Sequence, residues 1–491
     1  MSDTPKSRTS APAETRSDRF PRWLLWLLIF FAIFIMCWQI YCSGSMGVIG
    51  DTYTYEKAWE TLKTLHPDIA RPPVFPILLG ICFEIFGVWW GQIAICAIQW
   101  GCWIWGLTLV WQALLYLRVK RNWRIAAILI CLPFYGCWVM NNAVQTDGFA
   151  TGLIPLVIWE LIRYRQTGRG RWIWWALVTL LGFLFLKPQF LFLIPVMTVG
   201  WLYVTWRNRR HRLRSLLIPG VSVAMVYIYF LCINHCYQIH SISEVTNWNG
   251  YNSMRMAGLI KVDEIRDPKV REKLRPFIEA DPGQNLPDYF LYWNEMYYLW
   301  HDELEQVWQD AYRLHRSEAN AYFLDHFRLS WEMKISLNRG RAHPLKTRGD
   351  SIWYELMNVS PEDPEDLIIT SDMFYRDRAE RGAYLVPLYD IATIPFWAAW
   401  LIMFSFTAIW VGRWIKFRRF PVIPFTIAAI TVGGYCTAIL GAYGDWGRLV
   451  TPYDFPLLIM AADSLFILCY TPRRGRRCAA QKQSAGKPAE Q

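Results

Sequence analysis

RPPVFPILLGICFEIFG occupies residues 71–87. It reads as the start of a membrane span, yet its helical part is too short for one. The stretch from Val74 to Gly87 reaches only about 21 Å at 1.5 Å per residue, whereas roughly 20 apolar residues are needed to cross the hydrocarbon. Apart from Glu84 it is apolar on all sides, which suits a helix partly covered by protein at the outer interface better than one floating on the surface. Pro72, Pro73 and Pro76 suit an extended approach followed by a helix start. Whether this stretch crosses decides which side of the membrane most of the chain faces.

The rest of the chain reads as a polytopic membrane protein: 491 residues, 54% hydrophobic, with 29 Trp. Ten spans are expected, near 22–42, 89–117, 124–140, 148–164, 172–186, 188–206, 215–236, 387–411, 421–443 and 449–470. The fold class is therefore all-α polytopic membrane, with about ten transmembrane helices, juxtamembrane helices and a mostly helical external region. Residues 1–21 read as a disordered cytoplasmic tail, and 22–236 as a transmembrane core with an external loop at 43–88. Residues 237–386 form the external region, 387–470 the last spans, and 471–491 a disordered basic tail. The apolar run after Arg22 reads as an anchor rather than a cleaved signal. The 12 Cys fall mostly within spans and read as packing residues.

A net charge of +11 does not indicate nucleic acid, because of where it sits. Residues 237–386 carry 25 acidic and 18 basic side chains, the remainder 15 and 33. Basic residues gather in six short clusters: Arg16/Arg19/Arg22, 118–124, 163–171, 207–214, 413–419 and 473–477. Positive charge stays cytoplasmic. If residues 74–87 stop short of crossing, all six clusters fall inside, whereas if they cross, the first cluster opposes the other five. Both termini are then cytoplasmic, and 43–88, 141–147, 187, 237–386 and 444–448 face outward.

Charges at membrane depth are expensive and so informative. Asp51, Glu84, Asp147, Lys187, Asp390, Asp445, Arg448 and Asp454 lie at outer ends, and Glu160 and Asp463 toward the inner side. This suits a headgroup site at the outer interface rather than a path across the midplane. Asp51, in GDTYTY, reads either as a helix N-cap or as a general base, and one carboxylate can be both. Asp147 reads as an N-cap or a ligand-binding carboxylate. Arg71, Lys187 and Arg448 read as snorkelling cations or as a phosphate-binding set. His235 and His240 flank a span end and read as interfacial. No metal motif is evident: a divalent cation is allowed but not required.

These residues resemble the GT-C superfamily of membrane glycosyltransferases, particularly the branch of protein O-mannosyltransferases and lipid A aminoarabinose transferases. That family carries an acidic residue in the first external loop (Asp51, with Tyr53 and Tyr55 beside it) and an R-P-P stretch ending in Gly (Arg71 to Gly87). It also has a second external acidic residue after span three (Asp147). GDWGRLVTPYDFPLLI, with Arg448, Pro452 and Pro456, is similar to its late R-Y-x-x-P-x-x-P motif, although the Tyr is absent. The resemblance covers about 22–200 and 440–460, and 237–386 matches nothing in it.

What the resemblance implies is sugar transfer from a polyprenyl phosphate to an acceptor hydroxyl on the outer face of the plasma membrane, with inversion. Asp51 would be the catalytic base. Asp147, Arg71, Lys187, Arg448, Tyr53 and Tyr55 would bind substrate. Partners would be the lipid-linked sugar donor and a lipid, glycan or protein acceptor, in an inner-membrane enzyme of envelope glycan synthesis. Competing readings are an O-antigen polymerase or ligase, a lipid or glycan transporter, and a non-catalytic scaffold.

Overall fold

The structure, a computed structural model, describes residues 19–43, 46, 50–132, 140–207, 211–279, 301–332, 396–441 and 449–485. Asp390, Asp445, Arg448 and the stretches 280–300 and 333–395 lie outside the described residues. The protein is an all-α polytopic membrane protein. Seven helices among the described residues are long and apolar enough to cross a membrane.

The N-terminal half contains α1 (Arg22–Ser43), α2 (Gly50–Lys63), α3 (Val74–Tyr116), α4 (Arg121–Ile130), α5 (Thr146–Thr167) and α6 (Arg171–Leu184). A 3-10 turn (Pro188–Phe192) leads into α7 (Leu193–Arg207), and α8 (Leu217–Tyr237) follows. A cap follows, made of α9 (Glu244–Met256), α10 (Pro268–Glu279), α11 (His301–Leu314) and α12 (Arg316–Glu332). The chain ends with α13 (Phe396–Phe417), α14 (Val422–Gly441), a 3-10 turn (Thr451–Tyr453) and α15 (Asp454–Ala485).

The opening stretch forms a helix of its own. The 43-residue α3 is interrupted at Gly87, whose φ of 74° and ψ of 168° are not helical. Only glycine adopts that conformation without strain. The segment before the break exposes Ile77, Ile81, Ile85 and Phe86, and Trp89 and Trp90 follow it, both exposed. An apolar exposed face ending in two tryptophans suits the membrane–water boundary.

Of the ten spans expected, seven pass on length and apolarity. The expected 148–164 span is α5, which is long enough but carries Asp147, Glu160 and Arg163. Its polar side chains are tolerated because most of the helix is buried against protein. The expected 172–186 span is α6, only 14 residues long. For 124–140 the described helix ends at Ile130, and 133–139 lie outside the described residues. The last helix carries on to Ala485, beyond the boundary read at 470. Its final turns are rich in Arg, Ala, Gln and Lys, all good helix formers.

The α3 and α5 helices cross backbone to backbone. A Cβ on Gly106 would lie 2.4 Å from the Gly152 carbonyl oxygen and 2.7 Å from Phe455 on α15. Small residues permit such close approach where lipid supplies no hydrophobic drive between helices.

The cap helices pack a separate small core, including Trp248, Tyr251, Leu274, Leu304 and Val307. Ile69 and Ala70, from the bend before α3, are part of that core. The cap rests on the ends of α13 and α14. Asn249 donates to the Gly441 carbonyl at 3.0 Å, and the Phe327 and Trp400 rings lie 6.1 Å apart.

Candidate active site

Five segments meet at one end of the bundle: α2, the bend before α3, the turn before α5, the 185–187 junction and the Thr451–Tyr453 turn. Side chains hold them together. Thr52 donates to the Val144 carbonyl at 2.9 Å. Gln99 donates to the Ala143 carbonyl at 2.8 Å, and the Trp100 indole to Asn142 Oδ1 at 2.8 Å. Residues 143–145 are non-helical and buried, so their backbone polar groups need such partners. The Val74 N–H donates to the Phe185 carbonyl at 3.1 Å, tying the R-P-P stretch to the junction that carries Lys187.

The charged groups form one connected chain. Lys187 Nζ lies 2.8 Å from Asp147 Oδ1, the lysine side chain 13% exposed and the aspartate 1%. Lys187 is extended (φ −160°, ψ 133°), and Pro188 opens the 3-10 turn after it. Thr146, next to Asp147, shares a 3.2 Å hydrogen bond with the Tyr55 hydroxyl. The Arg71 guanidinium stacks 4.6 Å above the Tyr55 ring, and its Nε donates to Thr54 Oγ1 at 2.7 Å. Tyr55 also meets the Phe75 ring edge-on at 4.6 Å, and Phe75 meets Phe149 at 5.6 Å. An aromatic wedge therefore fixes α2 against α3 and α5.

Contacts thus link Arg71, Tyr55, Asp147 and Lys187, four of the residues singled out in the sequence. Two capping assignments need correction. The residue before α5 is Gln145, so Asp147 lies inside the first turn rather than capping it. Asp51 likewise lies inside the first turn of α2, which begins at Gly50. Both positions favour a carboxylate through the helix dipole. The Asp51 and Tyr53 side chains are outside the described residues, but Thr52 and Thr54 between and beside them anchor the same turn to Val144 and Arg71.

Glu84 does not join the cluster. It accepts from the Trp59 indole at 3.1 Å and lies 3.7 Å from Lys63, bracing α2 on the first part of α3. Toward the other end, Glu160 accepts from Thr179 at 2.7 Å and Asp463 from Trp410 at 2.8 Å, so each has a local role. Tyr453 was missed by sequence reading. It is fully buried, and its ring lies 5.9 Å from Phe192 and 6.4 Å from Phe190. The T-P-Y turn after Arg448 was the available signal.

A further buried carboxylate, Asp68, sits where the bend turns toward Arg71. Its Oδ1 accepts from the backbone N–H groups of Ala70 and Arg71, each at 2.8 Å. Burial pushes its carboxyl above the ordinary value, opposed by those two bonds and by Arg71 and Lys57. The Lys57 amine is pushed down by burial, opposed by Asp68. Among the described residues no three His, Cys, Asp or Glu side chains gather in a metal-binding group.

No known family matches the chain, and no curated protein does. Among solved structures it is similar to ArnT from Cupriavidus metallidurans. The apo crystal structure aligns at 13% identity over 90% of this chain and 76% of that one, with a TM-score of 0.32. The ArnT structure bound to undecaprenyl phosphate aligns at 13% identity over 95% and 81%, again at 0.32.

Proposed function

We propose that this protein is a membrane glycosyltransferase that moves a sugar from a polyprenyl phosphate to an acceptor hydroxyl at the outer face of the membrane. The observation that carries this reading is the connected chain from Arg71 through Tyr55 and Thr146 to Asp147 and Lys187. It gathers two cations beside a helix that stops at Gly87. The positive-inside pattern supports placing that end of the bundle outside.

In this reading the donor's phosphate lies at the interface with its chain among the helices. Asp51 takes the proton from the acceptor hydroxyl as that oxygen bonds to the anomeric carbon. The bond between that carbon and the phosphate oxygen breaks, and the polyprenyl phosphate leaves as an anion. Arg71, Lys187 and Arg448 stabilise the charge that develops on it, and no proton need be supplied to the leaving group. Asp147 keeps Lys187 in place and, with Tyr53 and Tyr55, lines the sugar and acceptor side. A single displacement inverts the anomeric carbon. General-base assistance of this kind is worth about 10²–10⁴-fold.

The test is incubation of purified protein with polyprenyl-phosphate sugars and a panel of lipid, glycan and peptide acceptors. Wild-type protein is expected to transfer sugar, and Asp51→Asn to fold normally and transfer none. Normal turnover by Asp51→Asn would remove the proposed base.

A further inference from the structure

Residues 67–71 are held from two directions. From within the bend, Asp68 accepts the Ala70 and Arg71 N–H groups. Three donors reach the bend's own carbonyls, one from the end of α8 and two from the start of α9. The Tyr237 hydroxyl donates to Pro67 at 2.9 Å, the Glu244 N–H to Ile69 at 2.9 Å, and Ser243 Oγ to Ala70 at 2.6 Å. Ser243 serves twice, because its hydroxyl also accepts from the Val245 N–H and so caps α9. Asp68, Ser243 and Glu244 are 2%, 1% and 0% exposed. With Ile69 and Ala70 inside the cap's core, the bend belongs as much to the cap as to the bundle.

Arg71 is the next residue along. Its backbone N–H is one of the two that Asp68 holds, and the carbonyl just before it is the one Ser243 holds. The place from which the Arg71 side chain departs is therefore set by groups that are not links of the chain from Tyr55 to Lys187. A buried carboxylate is a costly way to make a turn. A single oxygen that fixes two successive N–H groups leaves the arginine little freedom to swing.

We propose that Asp68 and Ser243 are positioning residues that set the Arg71 guanidinium for its phosphate, coupling the outer cap mechanically to the site. This rests on the reading that Arg71 meets a lipid phosphate. Binding of a partner or acceptor to the cap would reach the headgroup site through this five-residue bend.

Binding of undecaprenyl phosphate to the purified full-length protein tests it, with Arg71→Ala, Asp68→Ala, Ser243→Ala and the doubles with Arg71→Ala. Asp68→Ala and Ser243→Ala are each expected to weaken binding about tenfold, the equivalent of one hydrogen bond. In the Arg71→Ala background neither should weaken it further, since both act through that side chain. Asp68→Asn keeps the accepting oxygen and Ser243→Thr keeps the hydroxyl, so both should bind like wild type. Thermal unfolding of each variant separates loss of fold from loss of positioning, and the Ser243 pair suffices if Asp68→Ala fails to fold. Full additional losses in the Arg71→Ala background, wild-type affinity in Ser243→Ala, or weak binding by Asp68→Asn would each overturn the positioning role. Failure of the wild-type protein both to bind and to transfer would instead overturn the function proposed above, and this inference with it.

Discussion

The Lys187–Asp147 pair can be tested by a double-mutant cycle with Lys187→Met and Asp147→Asn. At 2.8 Å the two groups attract strongly. An effective dielectric of about 20 gives a gross attraction of about 6 kcal/mol. Desolvation removes most of this, because the aspartate is almost fully buried and the lysine nearly so. Removing the lysine alone leaves a carboxylate uncompensated, and should cost about 3–5 kcal/mol of stability. Asp147→Asn should cost less, because the amine that remains is the more exposed partner. The double variant should cost about 2 kcal/mol less than the two singles together. The assay is equilibrium unfolding in mixed micelles by SDS titration. Strictly additive costs would mean that the contact contributes nothing, and would remove Asp147 as the group that holds Lys187. Sugar transfer should fall in all three variants: two lack the cation, and in Asp147→Asn the cation loses the carboxylate that holds it.

Gly80→Ala should impair transfer, because its Cβ would fall 2.1 Å from the Trp59 ring and push α2 away from α3. Gly101→Ala, with nothing within 4 Å, is the matched control and should leave activity unchanged. Asp68 should make stability depend on pH. Its folded carboxyl titrates above the ordinary 3.8, so the native state holds the proton more tightly and stability falls as pH rises through that window. Asp68→Asn should flatten that fall and gain stability at neutral pH, and equal slopes for the two proteins would refute it. Single cysteines at 47 or 246 in a cysteine-free background should react with an impermeant maleimide from outside, Thr246 being exposed on α9, and protection of both would invert the assigned topology.

The membrane fold was legible because length, apolarity and charge distribution are one-dimensional signals. The first part of α3 shows this well: 14 residues are too few to span, and the structure ends that helix at Gly87. The α5 helix was harder to read, because burial against protein lets a span carry Asp147 and Glu160. At the site, the charged residues were legible from their position at span ends. What orders them was not. Thr52 reaches Val144, Tyr55 reaches Thr146 and Ser243 reaches Ala70, and these contacts join residues 92, 91 and 173 positions apart. Threonine and serine are common everywhere, so such partners leave no local pattern. The Glu84 contact left no pattern for the same reason: its partner Trp59 lies on another helix.

Gly106 and Gly152 touch with no side chain between them, and Phe455 closes on the same spot. This point lies about 9 Å along the helix axis from Trp100, which anchors the turn before α5. Three helices are pinned there as if by a rivet. Rocking of their outer ends would leave the rivet still, while displacement grows with distance from it. For the lipid donor proposed above, entry by splaying at the rim would leave the helices beneath together.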